Sequence, residues 1–161
     1  EIAEAAYLLK TLLDELGLRG FLKTTGGKGL HVVLPIEPVL PWNRIKGFSQ
    51  AIAELFAQTF PNRFTAKILK LSRRGKIFID YLRNGEGSTA VAAYSTRARA
   101  NGPVSTPIDW EEITREVRFD HFNIKNVPAR LKRLKRDPWA EFMKLRQSIT
   151  KEMMKKVGYT E

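Results

Sequence analysis

Apolar residues recur at helical spacing from the start of the chain: Ile2, Ala5, Ala6, Leu9, Leu12, Leu13 and Leu16, with Gly17 placed to stop the run. This pattern predicts an amphipathic helix over residues 2 to about 16, one face packed on a core. Gly20 to Thr24 and Leu30 to Leu34 read as two short strands around a glycine-rich turn, which predicts a β-hairpin. A second helix is predicted from about Trp42 to Thr59, with Ile45, Phe48, Ile52, Leu55 and Phe56 on one face and Pro61 closing it. Lys76 to Leu82 is a strongly apolar strand candidate, and Val91 to Tyr94 another, with Asn84 to Thr89 as the turn between them. Asp109, with Glu112 three residues on, predicts a capped short helix. Asn126 before Val127 and Pro128 predicts a helix start, and Asp137-Pro138 the start of a final helix running to about Met154. There is no internal repeat and no long polar linker, so the expectation is one compact α+β domain over residues 1–161, a mixed or antiparallel sheet flanked by helices.

Composition adds a partner class. The 161 residues are 43% hydrophobic and 10% aromatic, as in a folded globule. Lys and Arg number 28 against 17 Asp and Glu, a formal charge of +11, and this favours a polyanionic partner, because contacts to phosphates release counterions. Between Lys125 and Arg136 stand Lys125, Arg130, Lys132, Arg133, Lys135 and Arg136 with no acid among them. Lys132, Arg133, Lys135 and Arg136 are therefore candidate contacts to nucleic-acid phosphates, with a solvated helix face as the alternative. The absence of cysteine excludes disulfides and thiolate zinc sites and suits a reducing cytoplasm. No apolar run reaches the roughly 18 residues of a membrane span, and the acidic start lacks the basic region of a signal peptide, so no membrane partner is expected. The chain opens directly in a helix without an initiator methionine, which reads as a piece of something longer.

The candidate chemistry lies in two places. Thr24-Thr25-Gly26-Gly27-Lys28-Gly29-Leu30-His31 combines three glycines, two hydroxyls, a lysine and an imidazole. Glycines admit positive φ and let backbone amides approach an anion, Lys28 supplies a mobile cation and Thr25 a hydroxyl donor. The same composition also suits a plain surface hairpin. It is not a Walker A loop, because Gly29 and Leu30 follow the lysine and a strand follows the turn. Asp80 closes the run Lys76-Ile77-Phe78-Ile79-Asp80-Tyr81, where a carboxylate is placed to bind a divalent cation or to serve as a strand-end turn acid. Arg73, Arg74, Arg83 and Arg97 recur around it, and guanidinium forks suit triphosphate oxygens while magnesium or manganese neutralises the rest.

These residues match a family. Phe21-Leu22-Lys23-Thr24-Thr25-Gly26-Gly27-Lys28-Gly29-Leu30-His31-Val32-Val33 closely resembles the second motif of the polymerase domain of bacterial DNA ligase D. Phe78-Ile79-Asp80-Tyr81-Leu82-Arg83-Asn84 resembles its third, and Thr89 to Arg99 with Pro103-Val104-Ser105-Thr106-Pro107 resembles the segment that follows. Asp137-Pro138-Trp139 also fits, so the resemblance covers essentially the whole chain. It implies a fold like the catalytic core of the archaeo-eukaryotic primase superfamily. The implied activity is addition of NTPs or dNTPs to DNA ends in non-homologous end joining. By resemblance, Asp80 is the catalytic and metal-binding third carboxylate of a two-metal site taking manganese or magnesium. Thr25, Gly26, Lys28 and His31 would hold the triphosphate, Arg73 and Arg97 its phosphates, and Arg83 would border the site. Ligase and nuclease modules on the parent, and a Ku-type end-binding protein, are the implied partners in a bacterial, nucleoid-associated setting.

Two departures qualify the resemblance. Family members usually carry serine where Thr25 stands, so the hydroxyl survives with an added methyl. The Asp-x-Asp metal motif that the family places just upstream is absent from the 161 residues, and Asp14 sits mid-helix beside a leucine face. The expectation is therefore a fragment lacking the domain's amino-terminal part and inactive by itself, since carboxylates set the separation of the two metals. A noncatalytic DNA-binding module is the alternative. A Lys-x-Asp-Gly adenylation motif is also absent.

Overall fold

The computed structural model describes residues 1–113 and 121–160. In chain order it contains helix α1 (Ile2–Glu15), strands β1 (Phe21–Thr24) and β2 (Leu30–Val33), helix α2 (Trp42–Thr59), strands β3 (Phe64–Thr65), β4 (Ile77–Phe78) and β5 (Pro107–Ile108), and helices α3 (Val127–Arg133) and α4 (Lys151–Lys156). Short 3-10 turns occupy Lys70–Arg73, Leu82–Asn84 and Trp110–Glu112. The fold is mixed α and β, with a small antiparallel sheet and helices. The described residues divide into two compact units, Glu1–Ile36 with Val91–Gln147, and Glu37–Ala90 with Ser148–Glu161.

In the first unit, β1 lies between β2 and β5, and both pairings are antiparallel. The β1–β2 register runs from Phe21 opposite Val33 to Thr24 opposite Leu30, so the glycine turn closes a hairpin as the sequence predicts. All four β1 residues are buried, because the strand is covered on both faces. Ala6 of α1 packs with Leu22, Ile108 and Ile113, and Ala3, Leu30, Val32, Trp110 and Phe122 close around them. Each large side chain so buried contributes about 1.5–3 kcal/mol. Gly17, at φ +72°, ends α1: its N–H reaches Asp14 O (2.9 Å) and the Leu18 N–H reaches Leu13 O (2.8 Å), a left-handed turn that an L side chain would strain.

In the second unit, α2 buries Phe48, Ala51, Ile52, Ala53 and Phe56. Phe64 meets Phe56 and Phe60 edge-on, with ring centroids 5.6 and 5.8 Å apart. β3 and β4 pair in parallel, Phe64 opposite Ile77 and Thr65 opposite Phe78. Helix α4 is capped by Thr150, whose hydroxyl accepts the Met153 N–H at 3.2 Å.

Three predicted elements differ from the structure. The strand expected over Lys76 to Leu82 is only Ile77–Phe78: its ladder ends with Ile79 N–H to Thr65 O (3.0 Å), after which the Asp80 carboxylate captures the Leu82 N–H (2.9 Å) and turns the chain. Val91 to Tyr94 is a turn rather than a strand, because Tyr94 adopts φ +61° and pairing resumes only at the Thr96–Val104 bridge. The helix expected from Asp137 to Met154 is replaced by turns followed by the six-residue α4. Asp137 accepts the Trp139 N–H (2.7 Å), and the Trp139 indole donates to Leu22 O (2.8 Å) and stacks on Phe142 (4.6 Å). Tertiary bonds of that kind outweigh the helical propensity of the segment.

Candidate functional site

The glycine turn is built from its ends inward. Thr25 N–H and Thr25 Oγ1 both donate to Gly29 O, at 3.2 and 3.1 Å, so the chain closes on itself between them. Gly26 is buried at φ +66°, and a Cβ there would lie 2.7 Å from Arg97 Cγ. Only glycine fits, for both conformational and steric reasons. Arg97, half-buried, donates from one guanidinium nitrogen to Thr25 O at 2.9 Å, while its own N–H reaches Pro103 O at 2.8 Å. The Arg99 guanidinium lies 3.0 Å from the Cβ position at Gly27. Lys28 is exposed at the tip, and His31 stands opposite Lys23 in the ladder. The first unit thus brings Thr25, Gly26, Lys28, His31 and Arg97 onto one hairpin and the segment that braces it.

Arg73, Asp80 and Arg83 belong to the second unit. Asp80 is exposed just past β4, with Oδ1 engaged by the Leu82 N–H. Arg83 is exposed in the 3-10 turn that follows. Arg73 is committed locally: one guanidinium nitrogen donates to Ile68 O at 2.6 Å, and the plane lies 3.6 Å over the Phe78 ring. That cation–π contact and the bond to Ile68 O fold the 68–73 loop onto β4. Among the described residues no group of three or more His, Asp or Glu side chains is gathered as a metal site. Asp80 offers one carboxylate, which by itself does not amount to a two-metal centre.

Within the basic block the structure distinguishes two kinds of cation. Arg130 is held by Glu112 in a bidentate pair (2.5 and 2.7 Å) and lies over Phe122, which makes it a structural residue. Lys132, Arg133, Lys135 and Arg136 are exposed at the end of α3 and just beyond. Among the described residues no helix is long and apolar enough to cross a membrane.

Two residues of the first unit emerge only from the geometry. Lys23 is 3% exposed, with its ammonium donating to Val91 O (2.5 Å) and Ser105 Oγ (2.9 Å). Burial, and then the nearby Arg97, push its pKa down to about 8. Tyr94 donates to Asp137 Oδ2 at 2.6 Å, and burial together with that bond raises its pKa. The available sequence signal for Lys23 was a lysine between Leu22 and Thr24 in a four-residue strand.

Comparison with known proteins places the chain. The model of the LigD primase-polymerase domain matches residues 1–139. The multifunctional non-homologous end joining protein LigD of Pseudomonas aeruginosa is 47% identical over 96% of this chain and 19% of its own length. The bifunctional LigD of Bacillus subtilis is 35% identical over 81% of this chain and 21% of its own. The chain thus spans about a fifth of the length of these curated relatives. The polymerase domain of Mycobacterium tuberculosis ligase D, solved in complex with DNA, superposes with a TM-score of 0.72 at 29% identity, covering 81% of this chain and 45% of that one. The hairpin turn and the family match lead to one conclusion: the chain belongs to the LigD primase-polymerase domain family.

Proposed function

We propose that the chain is the carboxyl-terminal part of a primase-polymerase domain that adds NTPs or dNTPs to DNA ends during non-homologous end joining. The observation that carries this reading is the turn at Gly26, closed by Thr25 and Gly29 and braced by Arg97, with Lys28 free at its tip for an anion. Thr25 supports the grip by shaping the turn, since its hydroxyl already donates to Gly29 O. Lys28, His31 and Arg97 supply positive charge to a triphosphate; in the second unit Arg83 is exposed, whereas Arg73 is engaged by Ile68 O and Phe78. Asp80 contributes one carboxylate to a divalent-metal site, manganese or magnesium, whose remaining ligands would come from the Asp-x-Asp motif of the primase-polymerase family. Lys132, Arg133, Lys135 and Arg136 contact DNA phosphates. The parent works in the bacterial cytoplasm at the nucleoid, alongside ligase and nuclease modules and a Ku-type partner.

The test is manganese-dependent extension of a short primer-template by the 161-residue chain beside a version extended upstream through the Asp-x-Asp motif. Extension by the longer protein alone supports the reading. Extension by neither favours the second one, a noncatalytic DNA-binding module, for which the four exposed cations around the end of α3 speak.

A further inference from the structure

We propose that Lys23 is a positioning residue of the nucleotide turn, its buried ammonium tying the strand that launches the turn to the segment that delivers Arg97. The inference rests on the reading of that turn as a triphosphate grip.

A lysine this deeply buried is normally paired with an acid. Lys23 donates instead to two uncharged oxygens, Val91 O and Ser105 Oγ. Its ladder neighbours are His31 on β2 and Pro107 on β5, and the charged group it feels is Arg97, which is repulsive. Packing alone does not account for it, since an apolar side chain of the same length would fill β1 without the cost of desolvating a charge.

The bonds explain what the ammonium does. Ser105 Oγ, which receives Lys23, itself donates to Thr24 O at 2.8 Å. Ser105 O accepts the Tyr94 N–H at 2.6 Å, and the Ser105 N–H reaches Ser95 O at 2.9 Å. Thr24 N–H donates to Thr106 O, and Thr24 Oγ1 accepts the Thr106 N–H, both at 2.9 Å. Lys23 thereby joins three strands of chain: 23–24 entering the turn, Val91 at the start of the 91–97 segment, and Ser105 returning beside both. Arg97, at the far end of that segment, is the group that closes on Thr25 O and fills the space over Gly26. With the ammonium gone, Val91 O and Ser105 Oγ lose their shared donor, and the placement of Arg97 over the turn loosens.

Because the sequence contains no cysteine, the test can restore the ammonium selectively. ATP binding is measured by calorimetry for the 161-residue protein, for Lys23→Met, for Lys28→Ala, and for Lys23→Cys before and after aminoethylation in denaturant and refolding. The expected result is about tenfold weaker binding for Lys23→Met with the hydrogen exchange of α1 unchanged and that of residues 92–105 quickened. Aminoethylation of Lys23→Cys, which rebuilds an ammonium on an arm of lysine length, is expected to recover most of the affinity. Ser105→Ala, a milder change, should weaken binding in the same direction if Lys23→Met fails to fold. Equal binding by the modified and unmodified cysteine protein would overturn the proposal. So would wild-type affinity in Lys23→Met while Lys28→Ala loses binding, a result that spares the turn itself. Unchanged binding in Lys28→Ala would remove the triphosphate reading of the turn, and this inference with it.

Discussion

The glycine turn and the Asp80 segment carry the two halves of the proposed chemistry, and they are held in opposite ways. The turn stands on a strand paired on both sides, buried at every position, and is closed by bonds from residues about 70 to 80 positions away in the chain. Asp80 follows a two-residue strand, is exposed, and takes its hydrogen bond from Leu82, two residues on. A phosphate grip made of backbone and glycine must be preorganised, since its donors are fixed in place by the fold. A metal-ligating carboxylate can be left open, because the ion and its other ligands complete its geometry.

This contrast predicts that damage at Asp80 is chemical and damage at the turn is structural. In a protein extended through the Asp-x-Asp motif, Asp80→Ala should reduce nucleotide addition at least about a hundredfold while DNA affinity and the melting temperature stay close to wild type. Comparable extension rates in the mutant would take Asp80 out of the mechanism. Replacing Lys132, Arg133, Lys135 and Arg136 together by alanine should weaken DNA binding and flatten its dependence on salt, by about one unit of log–log slope for each phosphate contact removed. An unaltered slope would leave the four as a solvated face.

At the turn, Gly26→Ala should destabilise the protein by roughly 1–3 kcal/mol, because alanine must hold φ +66° against Arg97 Cγ. Gly29→Ala meets open space and should stay within about 0.5 kcal/mol of wild type, so paired chemical melts of the two variants measure the difference directly. The smallest effect concerns pH. Lys23 has a folded pKa of about 8 against an ordinary 10.5, so over that window the unfolded chain binds more protons and stability rises with pH. Tyr94 acts oppositely, but only around and above its ordinary 10.0. Urea melts at pH 7.5 and 9.5 should therefore show a rise in wild type that Lys23→Met lacks; parallel behaviour of the two proteins would mean that Lys23 stays charged throughout.

The long periodic elements were legible in the sequence because their signal is local. The 3.6-residue spacing from Ile2 to Leu16 and from Ile45 to Phe56 specifies which face is buried whatever it packs on, and α1 and α2 appear within a residue or so of expectation. The hairpin was legible for the same reason, its register following from two apolar runs around a glycine turn. Sequence motifs likewise identified Gly26, Lys28, Arg97 and Asp80 as candidates, since each stands in a recognisable string.

Tertiary structure alone decided the rest. Apolar character over Val91 to Tyr94 suggested a strand, yet Lys23 and Ser105 claim the backbone of this segment and Tyr94 turns it at positive φ. Asp137-Pro138 looked like a helix start until Trp139 found Leu22 O and Phe142. Arg130 and Lys132 read alike as members of one basic block, and only the partnership with Glu112 separates the structural cation from the exposed one. In each case a deciding hydrogen bond or ion pair reaches a partner about 10 to 120 residues away, and a bond across that distance leaves no period or spacing in the sequence. Local pattern determined which segments bury a face; the burial of polar groups, which must each find a partner, determined where the remaining chain could turn.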